Sequence, residues 1–493
     1  MTIIRLFIAA FFSLSVATIT HAHAEDICDA SASWLLAKMP ASNAQPMNHK
    51  QFADKSLPDA DCPFYQNAWQ RFLIATKSDG KGVPDFLTYP TIRDVFVPSV
   101  PTLRNVDPAL PLLDAGINQA KSQGILIDQN GNPVFYAIHV NAAFKTFVSA
   151  NGLRTVSDLQ KVKQDLALPS GIVELKSAWE IVPDTAPLTN YAKYFTVRAQ
   201  VPCLTIVNGA VVPTQKVRNV TVALLALHVV FSLDNHPELI WTTFEHINSG
   251  GGRDNAPAAS VNPAKNPTDP IDSLNSYPLY KPGTLIADTY VTKTLPNYAS
   301  FFDEATQSFV KTGVLSTPVY RLFPGSKSDG MKPDDSAEDG DVHVLDHNVA
   351  GLFTSAWAAD KRRFYQLVGG IWLDDSSGTN PAKQRFEADS DFSNDPGATT
   401  DDPNSPVAGE DRLSSTAMES FTQSETGISI FPNCFSCHDT HAVKSDKRPG
   451  GLASEQLMPA ARLNVSHVFS KFVDDTNFLP VDPPAGASCP SHP

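Results

Sequence analysis

Cys434-Phe435-Ser436-Cys437-His438 is the stretch whose residue types and spacing carry a definite chemistry. In C-x-x-C-H, two thiols one helical turn apart can both add to the vinyl groups of a porphyrin. The adjacent imidazole then turns to the iron as its axial ligand. A thioredoxin-like redox pair would need a βαβ context, and a zinc knuckle a second Cys/His pair at close spacing. Neither surrounds residues 434–438. The spacing therefore predicts one covalent haem c, anchored by Cys434 and Cys437 and ligated by His438.

The opposite face of the iron decides what such a haem does. A thioether raises its potential, a second imidazole lowers it, and an open position admits small ligands. Met458, in Gln456-Leu457-Met458-Pro459, follows the motif by twenty residues and is one candidate sixth ligand; its alternative is a gap-filling core methionine. His246, at the end of Trp241-Thr242-Thr243-Phe244-Glu245-His246, is the other. There Glu245 could serve as an acid or base beside it, or the stretch could simply anchor two parts of the chain. His228 stands in the apolar run Val217 to Phe231, in line with Val222, Leu224, Ala226 and Val230 on the period of a strand. Asp389, Asp391, Ser393 and Asp395 offer oxygens at alternate positions of a calcium-type loop. Asn394 replaces its turn glycine and Thr400 its closing glutamate, so Ca2+ is a secondary expectation.

The remaining cysteines, Cys28, Cys62, Cys203 and Cys489, are even in number and suit an oxidising compartment. Two disulfides are expected, with three connectivities open; Cys28 with Cys62 closes the shortest loop. Residues 1–24 read as a signal peptide. Arg5 supplies the basic start, Leu6 to Ala17 an apolar run too short for a bilayer, and Ala22-His23-Ala24 a cleavage site. Export to the periplasm follows as the expected localisation, with no membrane span in the mature chain. Against 52 acidic residues stand 38 Lys and Arg, a net charge of −14 that argues against nucleic acid and anionic membranes as partners.

Positioning these residues requires a substantial body. The 493 residues, 42% hydrophobic with 39 Pro and 26 Gly, indicate a loop-rich globular chain rather than a bundle or solenoid. Trp69, Phe72 and Leu73 mark a helix over 67–76, and Ile125 to Ile138 a hairpin turning at Asp128-Gln129-Asn130-Gly131. Asn141 to Ala150 reads as a second helix, and Ser157 as the N-cap of a third that runs to Pro169. Ile172 to Trp179, Tyr194 to Val201 and Val217 to Phe231 read as strands, the last one apolar on both faces and hence central. The expected class is α+β. A body over 25–373 has a mixed or antiparallel sheet, 374–412 is an acidic loop or linker, and 413–493 is a small helical haem segment.

Several stretches occur together in one order: Ala68-Trp69-Gln70-Arg71-Phe72-Leu73, Val173 to Trp179, Leu227-His228-Val229-Val230, Trp241 to His246, Gln366-Leu367-Val368-Gly369 with Trp372, and Met418-Glu419-Ser420-Phe421 before the cysteines. Over most of its length the chain thus resembles the large, exported, single-haem bacterial c-type cytochrome family. That resemblance implies haem attachment at Cys434 and Cys437 with His438 axial, and supplies no substrate. The family's Trp-Thr-Thr-Phe-Glu-His stretch runs on into Asp-Asn-Ala-Pro, which here is delayed to Asp254-Asn255-Ala256-Pro257. Two functions are expected on this basis. One is periplasmic electron transfer to a redox partner protein. The other is a haem-dependent oxidative enzyme, oxygenase or peroxidase in type, whose body holds a small-molecule substrate.

Overall fold

The computed structural model describes residues 28–36, 62–78, 80, 82–96, 103–119, 124–234, 236–246, 267–271, 278–279, 281–290, 294–319, 337–373, 386–389, 407–409, 415–422, 434–444, 456–474, 480–482 and 489–490. The expected signal peptide, residues 1–24, and the expected calcium-loop positions 391, 393 and 395 lie outside them. The helices are α1 (Cys62–Ala75), α2 (Ile92–Val95), α3 (Ala142–Ala150), α4 (Val156–Leu159), α5 (Tyr298–Phe301), α6 (Ala337–Leu352) and α7 (His467–Asp474). The strands are β1 (Phe135–Val140), β2 (Val173–Ile181), β3 (Thr196–Val207), β4 (Ala210–Leu233), β5 (His236–His246), β6 (Tyr365–Leu373), β7 (Val407–Gly409), β8 (Val443–Lys444) and β9 (Gln456–Met458). None of the described helices is long and apolar enough to cross a membrane.

The class is α+β, and the main sheet is antiparallel throughout. Its order is β1-β2-β4-β5-β6-β7, with β3 paired to β4 as well. β4 is long enough to serve three neighbours. Val222 and Ala223 pair with both β2 and β3, whereas Ala226 to Phe231 pair with both β2 and β5. A residue has one neighbour on each edge, so β3 and β5 share one edge of β4 and follow each other along it. The larger part of the apolar run Val217 to Phe231, from Val222 on, thus lies inside the sheet, as its two-sided apolar pattern predicts.

Each face of the sheet carries its own core. Leu224, Leu227, Val229 and Phe231 of β4 meet α1 and α6 on one side, with Trp69, Phe72, Phe244 and Tyr365. Leu225, Ala226 and Val230 meet the C-terminal segment on the other, with Met418, Phe435, Met458 and Phe469. Strict alternation from Val222 to Val230 fails because the β2 register slips between Ala178 and Trp179, which pair with Ala226 and Leu224. The extra residue, Leu225, is a bulge that reverses the sides, so Val222 and Leu224 face away from His228. Gly370 on β6 shows how tightly the layers meet: a Cβ there would stand 3.0 Å from Thr242 Cγ2 and 3.4 Å from Tyr65 Cε1.

The predicted helix over 67–76 is the later part of α1, whose first residue, Cys62, is disulfide-bonded to Cys28. Cys203 pairs with Cys489, which ties the end of the chain to β3. Asn141 caps α3 by accepting from Phe144 N at 3.0 Å. The next helix is only one turn: Thr155 and Asp158 form a capping box that starts it two residues ahead of Ser157, and it ends at Leu159. In the hairpin, Val134 N donates to Leu126 O around the expected turn, with Gly131 at φ 83°.

The C-terminal segment is less helical than its sequence suggests. Among its described residues the one α-helix is the eight-residue α7, beside 3-10 turns and the β8–β9 pair. Pro459 follows β9 and does not favour a helix there, and the segment buries its apolar residues against the sheet and against α3, where Phe469 stacks on Phe144 at 5.4 Å. Parts of the expected acidic linker are also built into the fold. β7 extends the sheet at β6, Thr440 Oγ1 donates to Glu387 O at 2.6 Å, and Arg462 pairs with Glu387. Asp389 Oδ1 meets His441 Nδ1 at 3.0 Å.

A strand sealed on both faces exchanges its amides only when the whole molecule opens. In hydrogen exchange, Val222 to Val230 should be the slowest segment, with an opening free energy equal to that of global unfolding. Fast exchange there would contradict the two-core arrangement.

Candidate functional site

The C-x-x-C-H stretch folds as one tight turn. Cys437 N and His438 N both donate to Cys434 O, at 3.1 and 2.8 Å, and Phe435 drives the turn into the core with no exposed surface. Cys434 and Cys437 stay half-buried and outside both disulfides. One turn of backbone thereby carries two thiols and the imidazole that follows them.

His438 is then fixed by residues distant in sequence. Its Nδ1 lies 2.9 Å from Val465 O. A carbonyl only accepts, so Nδ1 bears the proton and the lone pair resides on Nε2. Trp241 of β5 lies over the ring at a centroid distance of 3.7 Å, and His467 of α7 at 3.6 Å. Two rings so close cannot share one face, so they bracket the imidazole. His467 Nε2 donates in turn to Cys437 O at 3.0 Å. A carbonyl behind the ring and a ring on each side set both tautomer and direction, which is what an axial ligand requires from its surroundings.

Among the described residues, no three His, Cys, Asp or Glu side chains converge as a cage for a bare metal ion. The donor set at 434–438 is instead two thiols and one oriented imidazole, the set that a porphyrin completes. The residues present therefore fit covalent haem: Cys434 and Cys437 would hold it, and His438 Nε2 would face the iron.

The two candidate sixth ligands are placed very differently. Met458 is fully buried on β9, opposite Val443, in the core that also takes Phe435 and Trp241. His246 is not brought to His438. It stands five residues from Trp241 on β5, about 17 Å of extended chain, and shares the α1 side of the sheet with Phe244 and its cross-strand partner Tyr365. There its ring stacks on Tyr194 at 3.5 Å and meets Tyr365 edge-on at 5.2 Å. The Trp-Thr-Thr-Phe-Glu-His stretch straddles the sheet, because neighbours on a strand point to opposite faces. Trp241 reaches His438 of the C-x-x-C-H turn, and His246 faces the other side. Glu245, on Trp241's face, accepts from Thr416 N at 2.8 Å and so anchors the segment before the motif.

His228 and Glu419 form a pair that sequence spacing could not reveal, 191 residues apart. His228 Nε2 lies 3.1 Å from Glu419 Oε2, and its Nδ1 2.8 Å from Thr243 Oγ1. Both stretches were among those carrying the family resemblance, which was the one signal linking them. His228 is two residues from Val230, the partner of Trp241, which places it about 7 Å along the same face.

Burial sets the charge state of several groups. Desolvation pushes His246 down to about 3, partly opposed by the nearby Lys193 backbone, although neither ring nitrogen finds a partner in hydrogen-bond geometry. His139 is pushed down to about 4 for the same reason. Desolvation, and then Asp128, raises Glu180 well above the usual carboxylate range.

His139 and His246 stay neutral in the folded chain while the unfolded chain protonates near 6.5, so folding loses stability as pH falls from 6.5 towards 4. Each residue adds a slope of about 1.4 kcal/mol per pH unit at full effect. Urea unfolding at pH 7 and pH 5 should show a smaller acid loss for His139→Phe/His246→Phe than for the wild type; equal losses would reject the neutral assignment. Compared with known proteins, the chain matches no family model, no curated protein and no solved structure, so the functional argument rests on this geometry.

Proposed function

We propose that the protein is a periplasmic c-type cytochrome that carries one covalent haem on Cys434 and Cys437, with His438 as axial ligand, and exchanges electrons with a redox partner protein. The observation that carries this reading is the fixation of His438 by Val465 O, Trp241 and His467. A buried core histidine needs one hydrogen bond; this one also has a defined tautomer and a ring packed on either face, next to two half-buried thiols outside the disulfides. The bound group supplies one-electron chemistry. The chain holds the imidazole still through the redox change, excludes water with Trp241 and Phe435, and offers the buried thioether of Met458 as sixth ligand.

A second reading, a haem-dependent oxidative enzyme of oxygenase or peroxidase type, draws on a different observation. His228, held between Thr243 and Glu419, is an imidazole with hydrogen-bond partners on both nitrogens, on the same sheet face as Trp241. Such a group can accept and return a proton beside an open iron position, and a small-molecule substrate would then replace the partner protein.

The visible spectrum of the ferrous protein, with and without carbon monoxide, separates these readings. On the first, the ferric protein shows a far-red thioether-to-iron band and the ferrous protein binds carbon monoxide poorly. Met458→Ala then removes the band and raises carbon monoxide affinity by at least tenfold, whereas His246→Ala leaves the spectrum unchanged. Tight carbon monoxide binding by the wild type, unaltered in Met458→Ala, would remove Met458 as ligand and favour the enzyme.

A further inference from the structure

Glu174 lies beneath the turn that holds His438. On β2 it pairs with Val140 on one side and Val230 on the other, and Val230 pairs with Trp241, so one row of side chains leads from the carboxyl to the indole tilted over His438. Glu174 is buried, and Ser466 Oγ donates to its Oε1 at 2.6 Å across 292 residues of sequence. Ser466 stands between the two residues that fix the imidazole. Val465 before it supplies the carbonyl for Nδ1, and His467 after it supplies a stacked ring. Ser466 Oγ also takes Val468 N at 3.3 Å, which starts α7. The hydroxyl is thus the joint between the sheet and the clamp.

We propose that Glu174, acting through Ser466, is a positioning residue for His438 and the proton acceptor coupled to reduction of the site. The inference rests on the haem reading above. Glu174 takes one proton from bulk water when the iron gains one electron from the donor, so the buried region gains no net charge. Titratable groups neighbour it on the elements packed there: Lys176 two residues along its own strand, Tyr136 on β1 beneath the Lys176 ammonium, and His228 on β4 opposite Lys176; His467 follows Ser466 on α7. Burial is the largest influence on Glu174 and lifts it to about 7, with the Ser466 hydrogen bond opposing.

The sign follows from charge. A carboxylate stabilises the ferric over the ferrous state, so the midpoint potential falls as pH rises and Glu174 ionises. Loss of the Ser466 hydroxyl disfavours the carboxylate and moves the step to higher pH.

The test is a potentiometric titration of the intact holoprotein from pH 5 to 9, with attachment checked first by haem-stained denaturing gels. The wild type should show a pH-dependent step near 7. Glu174→Gln should carry haem and lose the step; Ser466→Ala should move it up, and Ser466→Thr should restore it. Should Glu174→Gln fail to fold, the Ser466 pair decides alone. A haem-loaded wild type with no step, or a step unchanged in Glu174→Gln or Ser466→Ala, overturns this inference and leaves the haem reading intact. A wild type without haem overturns the haem reading, and this inference with it.

Discussion

Leu224, Leu227 and Phe231 must be covered from one side of β4 and Ala226 and Val230 from the other, so this part of β4 cannot form in water with either side bare. That double burial places the rest of the molecule. α1 and α6 form a lid of large side chains on one face, and the C-terminal segment closes the other. The described parts of 415–474 hold little regular structure, and groups on the strands tie them down. Tyr136 Oη donates to Ala417 O at 2.7 Å, Glu245 takes Thr416 N, and Glu174 takes the Ser466 hydroxyl. In each case a polar group on a strand meets a group in the segment, and the cysteine motif is held between two such attachments.

The same constraint explains why a large body accompanies a short motif. C-x-x-C-H can present two thiols and an imidazole with no help beyond one helical turn. Fixing that imidazole in one tautomer and one direction requires groups from outside the turn, and Trp241 and Val465 stand 224 positions apart in the chain. Stability and site geometry are therefore coupled: whatever loosens the packing of the segment on β2, β4 and β5 also loosens His438.

Much of this was legible in the sequence, for reasons that differ by element. β4 announced itself because a run apolar on both faces has few other places to go, and α1 because Trp69, Phe72 and Leu73 repeat on a helical face. β5 did not, since Thr242, Thr243, Glu245 and His246 look polar until their cross-strand partners are known. β6 was hidden by Gly369-Gly370, a pair with poor strand propensity that is needed where Thr242 and Tyr65 come close. The Leu225 bulge has no local signature and reversed the expected side of Val222 and Leu224. At the site, the cysteine motif could be read because its chemistry is local. The partners of His438 could not, because stacking between residues 197 positions apart leaves no spacing rule. His246 lies five positions from Trp241, and because a strand sends residues at odd offsets to opposite faces, closeness in sequence did not tell which of the two shares the side of His438.

The central claim is that Cys434 and Cys437 carry a covalently attached haem in a setting that the sheet prepares for His438. Mass analysis of peptides from the exported protein, treated with a thiol-alkylating reagent after denaturation and reduction, addresses it most directly. The account predicts that the peptide spanning Cys434 to His438 gains the mass of one haem with neither cysteine alkylated, while Cys28, Cys62, Cys203 and Cys489 all become alkylated. Recovery of that peptide from a haem-attaching host with both cysteines alkylated and no added haem mass would contradict it.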